Sequence, residues 1–187
     1  MRVLNVLAAF LLVVGIAGCA SETPAPDATA GAEFTPQAYA NLAQLMRGVP
    51  FPNSNVIFDT QDLDPETGAG QGADPEAGGG QGATATYGAL YGGWEGVENA
   101  ALAVSEVANL IMIPGRLCEN GLPVPLENED FRRFAQGLAD AGQEAYRVAQ
   151  TRDLDAMLEV GGVISDACLF CHEVYRDKPE GQMRCIP

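Results

Sequence analysis

The stretch TRDLDAMLEVGGVISDACLFCHEVYRD, residues 151–177, decides how the chain is read. Starting near Asp153, it sets Leu154, Met157, Leu158, Ile164, Ala167, Cys168, Cys171 and Tyr175 at spacings of three and four, the period of one helical face. Two of the chain's five cysteines and its one histidine fall within five residues, as Cys168-Leu-Phe-Cys171-His172. Residues three and four apart are neighbours on a helix surface, so Cys168, Cys171 and His172 project together. Two thiols and an adjacent imidazole are what haem c needs: two thioethers for the vinyl groups and a nitrogen for the iron.

Other chemistries use Cys-x-x-Cys as well. A thioredoxin-like dithiol belongs at a strand-to-helix junction, and no stretch here alternates as a strand does. A zinc site needs about four ligands, which would take every remaining cysteine. Two buried thiols beside a surface histidine is the plain structural reading, but an exported protein tends to oxidise such thiols.

Working outward, three more helical segments precede the motif. NEDFRRFAQGLADAGQEAYRVAQ opens on Asn128 as a cap, with acids in its first turn, and carries Phe131, Phe134, Ala135, Leu138, Ala141, Ala145 and Val148 on one stripe. GWEGVENAALAVSEVANLIMIP sets Trp94, Val97, Ala101, Val104, Ala108 and Ile111 on another, and Pro114 closes it. The earliest segment, TPQAYANLAQLMRG, is expected to start at Thr35-Pro36 and to place Tyr39, Leu42, Leu45 and Met46 inward. Gly48, Pro50 and Pro52 stop or kink it, and PNSNVIFDTQ is expected to resume it for two turns. The fold class is therefore all-α: a four-helix bundle with a C-terminal haem c attachment motif. A long Gly/acid-rich loop separates its first two helices.

That loop contains a tandem decapeptide, DPETGAGQGA then DPEAGGGQGA, within a low-complexity insert over residues 60–88. Glycine and acid without apolar residues cannot bury enough surface to order the backbone, so it reads as a solvated loop that grew by duplication. An acidic docking arm for a basic partner is the alternative.

The N-terminus reads as a leader. Arg2 precedes an uncharged, mostly apolar run from Val3 to Ala17, too short to span a bilayer. Ile16-Ala-Gly-Cys19 resembles the bacterial lipobox. Residues 1–18 then form a lipoprotein signal peptide, Cys19 carries lipid, and residues 19–34, rich in Ala, Pro and Thr, form a tether to the domain at 35–187. An ordinary cleaved signal is the alternative. Ala20 does not favour inner-membrane retention, so the chain is expected in the periplasm, lipid-anchored, with the outer membrane plausible.

Composition narrows the partners. The chain carries 10 basic and 25 acidic residues, a net of −15. Cleavage after residue 18 leaves nine basic against 25 acidic residues, a net of −16. Such a surface repels nucleic acid and anionic head groups; it suits a redox partner with a basic docking surface, and simple solubility of the domain accounts for the charge as well. Acids such as Glu95, Glu98 and Glu106 lie on a solvated face with no base or metal partner, so no constellation for hydrolysis or group transfer is present. Cys118 and Cys185 remain as an even pair. They follow the second and fourth helices, whose ends share a pole in an up-down-up-down bundle, and a disulfide is expected between them.

Four helices ending in Cys-x-x-Cys-His resemble the class II cytochromes c, the cytochrome c-prime family. His172, Tyr175 and Arg176 match that family's His-x-x-aromatic-Arg continuation. The resemblance spans roughly Thr35 to Asp177, but only residues 168–176 are specific. The glycine-rich insert, the proline-broken first helix and the expected disulfide depart from the family pattern. It implies His172 as proximal iron ligand and Arg176 near the proximal face or a haem propionate. It also implies a distal residue from the first helix, for which Met46 is the candidate. A methionine at helical spacing is as readily core. Met157 shares a helix with His172 and cannot cross the haem; Met112 and Met183 stay open. With no second histidine, bis-histidine ligation within one chain is excluded. The implied function is single-electron transfer through one covalent haem c, not enzymatic turnover. The alternatives are a five-coordinate haem protein binding nitric oxide or carbon monoxide, and a thiol-disulfide oxidoreductase. A homodimer is compatible with the resemblance.

Overall fold

A computed structural model describes residues 34–67 and 93–187. The leader, Cys19, most of the tether, and all of the 60–88 insert after residue 67, including most of the decapeptide repeat, lie outside the described residues.

The described residues are mainly helical, with no strand; an isolated bridge pairs Leu117 with Pro123. The first arm is broken as its prolines require. Helix α1 is Leu42–Gly48 and α2 is Pro50–Phe58, followed by a short 3-10 turn over Asp59–Gln61. Pro50 sits in the first turn of α2, where a missing N–H costs nothing. The expected start at Thr35-Pro36 is corrected: residues 35–40 are not helical, and Tyr39 is exposed rather than inward. The helix starts where both of its end groups find partners. The Asn41 side chain accepts from the Gln44 amide at 2.8 Å, and the Gln44 side chain accepts from the Asn41 amide at 3.0 Å. Thr35 offers no such reciprocal pair.

Three long helices follow: α3 at Trp94–Ile111, α4 at Glu129–Thr151 and α5 at Leu154–Tyr175. Only Arg152 and Asp153 separate α4 from α5. Arg152 takes a left-handed conformation, φ 58°, to end α4. The Asp153 side chain then accepts from the Ala156 amide at 3.1 Å to start α5. Gly93 lies tight against Pro65: at φ 45°, an added Cβ would lie 1.9 Å from the Pro65 carbonyl oxygen.

Helix α4 packs against α3 and α5, and α2 packs against α3 and α5, which closes a ring of helices around one core. Phe131, Ile57, Met157, Ile164, Val97, Val104 and Val107 are fully buried in it. Each such side chain removed from water contributes about 1.5–3 kcal/mol before entropy is counted. The expected stripe of α5 needs one change. Met157, Val160, Gly161, Ile164 and Tyr175 are buried, whereas Leu158 is exposed because the core lies on the other side of its turn.

One pole is cross-tied. The buried Arg116 donates through Nε and Nη2 to the Leu110 carbonyl at 3.1 and 2.7 Å, and through Nη1 to the Ala40 carbonyl at 2.5 Å. One guanidinium therefore caps α3 and holds the approach to α1; burial lowers its pKa. The Leu42 amide donates to the Leu117 carbonyl at 2.8 Å, and Arg47 pairs with Glu119 at 2.5 Å. Cys118 and Cys185 come to disulfide distance, with Cα atoms 6.4 Å apart, and the Cys185 amide donates to the Tyr175 carbonyl at 2.8 Å. The α3–α4 loop and the C-terminal tail are thereby held at the end of α5.

Candidate functional site

The last two turns of α5 carry the motif. No Gly or Pro follows Gly162 until Pro179, so nothing interrupts the helix across 168–172. It ends sharply. The Arg176 and Asp177 amides both donate to the His172 carbonyl, at 2.8 and 2.7 Å, which anchors the histidine backbone from both following residues.

Cys168 and Cys171 are half-buried, packed against the core, and bonded to no other cysteine among the described residues. His172 lies half-buried at the margin of the same face, while Leu169 and Phe170 point to solvent. The three residues are thus brought together as the helical spacing requires.

Their electrostatics follow from burial. Desolvation pushes the Cys171 thiol up to about 11, assisted by Cys168 and Asp130 and opposed by Arg176. Desolvation also raises Cys168, again against Arg176. Burial lowers the His172 imidazole, the Arg176 charge adds to that, and Asp177 opposes it. At neutral pH the site therefore presents two protonated thiols and a neutral imidazole.

This donor set fits haem c: two reduced thiols free for thioethers and a nitrogen with its lone pair available. Arg176 is close enough to act on all three groups. Its guanidinium is held by its neighbour, Nε to Asp177 Oδ1 at 2.7 Å and Nη2 to Oδ2 at 3.0 Å.

Behind the motif stands a network the sequence did not reveal. The buried Tyr175 hydroxyl donates to Asp130 Oδ1 at 2.6 Å and accepts from Asn128 Nδ2 at 3.3 Å. Its ring stands edge-on to Phe131, 5.2 Å between centroids, and to Phe134 at 6.4 Å. The expected cap Asn128 does stand at the N-cap of α4 but makes no cap hydrogen bond with its side chain. Tyr175 takes it instead. The only signal in the sequence was an acid and an amide at a helix start, which ordinary capping explains equally well.

Met46 is half-buried against the core on α1, which packs on α2, while α5 is packed by α2 and α4. Met157 is fully buried, Met112 half-buried and Met183 exposed. Among the described residues no three His, Cys, Asp or Glu side chains converge as a metal-holding group, and no helix is long and apolar enough to cross a membrane. A haem iron asks less of the protein, because the porphyrin supplies four of its ligands.

No family model, no curated protein and no solved structure matches this chain.

Proposed function

We propose that this chain is a c-type cytochrome of the class II, four-helix kind, transferring single electrons through one covalently bound haem c. The observation that carries the reading is the convergence of Cys168, Cys171 and His172 on one half-buried face, both thiols reduced. Cys168 and Cys171 would hold the thioethers and His172 would bind the iron. Arg176 would stand near a propionate, and Met46 is the candidate distal ligand. When bound, the haem supplies a one-electron couple whose potential follows its axial ligands and surroundings. The chain's own part is to hold the His172 backbone through the doubled hydrogen bond, keep the imidazole neutral by burial, and wall the site with apolar side chains. The reading includes export, lipid on Cys19, and a periplasmic place on the membrane, with the outer membrane plausible. Its partner would be a redox protein with a basic surface.

The thiol chemistry weighs against a dithiol oxidoreductase. Such enzymes depend on a thiolate, and burial raises both thiols, Cys168 as well as Cys171, which favours the protonated form of each. A second haem reading has one observation in its favour. Met46 is half-buried against the hydrophobic core, and a core role for it suits an iron left open to nitric oxide or carbon monoxide.

The test is expression in a haem-ligating, oxidising compartment. A coloured chain is expected, with Cys168→Ser and Cys171→Ser each losing one thioether and the double variant releasing its haem in denaturant. Low-spin bands that become high-spin in Met46→Ala support the carrier; high-spin bands that shift with carbon monoxide in the unaltered chain support gas binding. A colourless chain whose two thiols both react with an alkylating reagent overturns both.

A further inference from the structure

Helices α4 and α5 have very different outward faces. On α4, acids alternate with Arg132, Arg133 and Arg147, and no large hydrophobic side chain is exposed. That is an ordinary solvated face. Helix α5 has neither feature. Its outward side exposes Val163 at 51%, Leu169 at 45% and Phe170 at 52%. Between Arg152 and Arg176 the chain has no lysine or arginine at all. Asp155, Glu159, Asp166 and Glu173 recur at helical spacing along that same exposed side, and none of them is ion-paired among the described residues. Val163 and Phe170 are seven residues, two turns, apart and so share one face, with Asp166 and Glu173 at the same spacing beside them; exposed apolar side chains gathered on one face with a charged rim mark an interaction surface, whereas single ones elsewhere do not.

We infer that the outward face of α5, with Val163, Leu169 and Phe170 beside an unbroken row of carboxylates, is the docking surface for a protein whose contact patch is apolar with lysine or arginine around it. Charge selects this occupant. A second copy joined through the same face would set carboxylate against carboxylate, since a two-fold interface apposes a patch to itself. An anionic lipid surface is repelled in the same way. A cationic partner gains steering at long range and apolar burial on contact. The face also lies on the helix that carries the haem motif, with Leu169 and Phe170 between its two cysteines. A partner seated there is beside the proposed cofactor. The electron-transfer role of this surface rests on the haem reading; the binding itself does not.

The test measures binding of a lysine-rich soluble cytochrome c, as the probe, to the mature chain at low and at physiological ionic strength. Binding that weakens with salt is expected. Asp166→Lys with Glu173→Lys should weaken it about tenfold or more, and so should Val163→Ser with Phe170→Ser. Glu106→Lys with Asp140→Lys makes the same change in net charge on α3 and α4, and should cost less than about threefold. Equal losses from both charge pairs would show bulk charge alone and overturn the proposal. So would no effect of the serine pair, no salt-dependent binding, or a dimer in sedimentation that the α5 lysine pair abolishes. Haem content is read separately by absorbance. A colourless chain that binds the probe defeats the electron-transfer reading and supports the docking face. A haem-loaded chain that fails to bind does the reverse.

Discussion

Tyr175 shows how much one side chain decides at the motif. Its ring fills the space against Phe131 and Phe134, and its hydroxyl joins the end of α5 to the start of α4. Tyr175→Phe keeps the packing and removes the hydroxyl's bonds to Asp130 and Asn128, leaving Asp130 Oδ1 with the Phe131 amide at 2.8 Å. A loss of stability is expected in urea unfolding, because the bond is charge-assisted and nothing in phenylalanine replaces the donor. The loss should depend on pH. The Tyr175 hydroxyl, and secondarily the Phe131 amide, hold the Asp130 carboxyl below its usual range. A depressed folded pKa means stability that is complete above the ordinary carboxylate range, near pH 4, and lost as pH falls through the folded value. Burial first, and Asp130 second, raise Tyr175, so its contribution is complete below the ordinary phenol range and lost as pH rises through the raised value. The gap between wild type and Tyr175→Phe should therefore be flat around neutrality and shrink in acid. An unchanged gap in acid would mean that the ionised carboxylate is not the partner that matters.

At the scale of elements, glycine position separates what a helix tolerates alone from what its neighbour permits. Gly137 and Gly142 both lie within α4. An added Cβ at Gly137 meets nothing within 4 Å, whereas at Gly142 it would lie 2.5 Å from the Ser105 amide nitrogen and 2.9 Å from the Ala101 carbonyl oxygen. Gly142 is where α4 lies flat on the α3 backbone. Gly137→Ala should raise stability by about 0.5–1 kcal/mol, since alanine is the better helix former. Gly142→Ala should lower it by about 1–3 kcal/mol as the helices separate. Thermal unfolding of the two variants checks the sign of each, and the same sign for both would refute the close crossing. Read along the chain, the two glycines look alike. The apolar stripe of α4 was legible, because it needs only the 3.6-residue period; the depth of the α3–α4 contact was not. Helix α1 has the same lesson at its start, where Asn41 and Gln44, rather than Thr35 and Pro36, satisfy the end groups.

For the whole molecule, the cross-tied pole holds distant parts of the chain together. Cys118 and Cys185 are 67 residues apart in sequence, and the link keeps the tail against the end of α5. Replacing both by alanine should cost about 2–4 kcal/mol, mainly by freeing the unfolded chain. Reduced wild type and the double variant should unfold at the same midpoint. A double variant as stable as the oxidised protein would show that Arg116 and the surrounding hydrogen bonds hold the pole unaided. The all-helical character, the proline break in the first arm and the outward position of acids followed from composition and period. The pole's fine structure did not, because Arg116 reaches Ala40 across 76 positions of sequence.

Helical segments, the common face of Cys168, Cys171 and His172, and the pairing of the two remaining cysteines were all readable from the chain by itself. The first two are local, set within a few residues by backbone geometry, and the third follows from short connections between successive helices. Folding in three dimensions decided the rest: the Asp130–Tyr175 bond behind the motif, the flat crossing at Gly142, the buried guanidinium of Arg116, and which side of α5 stays in water. Those depend on how helices rotate and approach one another. That is the outcome of packing many side chains at once, and no single stretch of sequence encodes it.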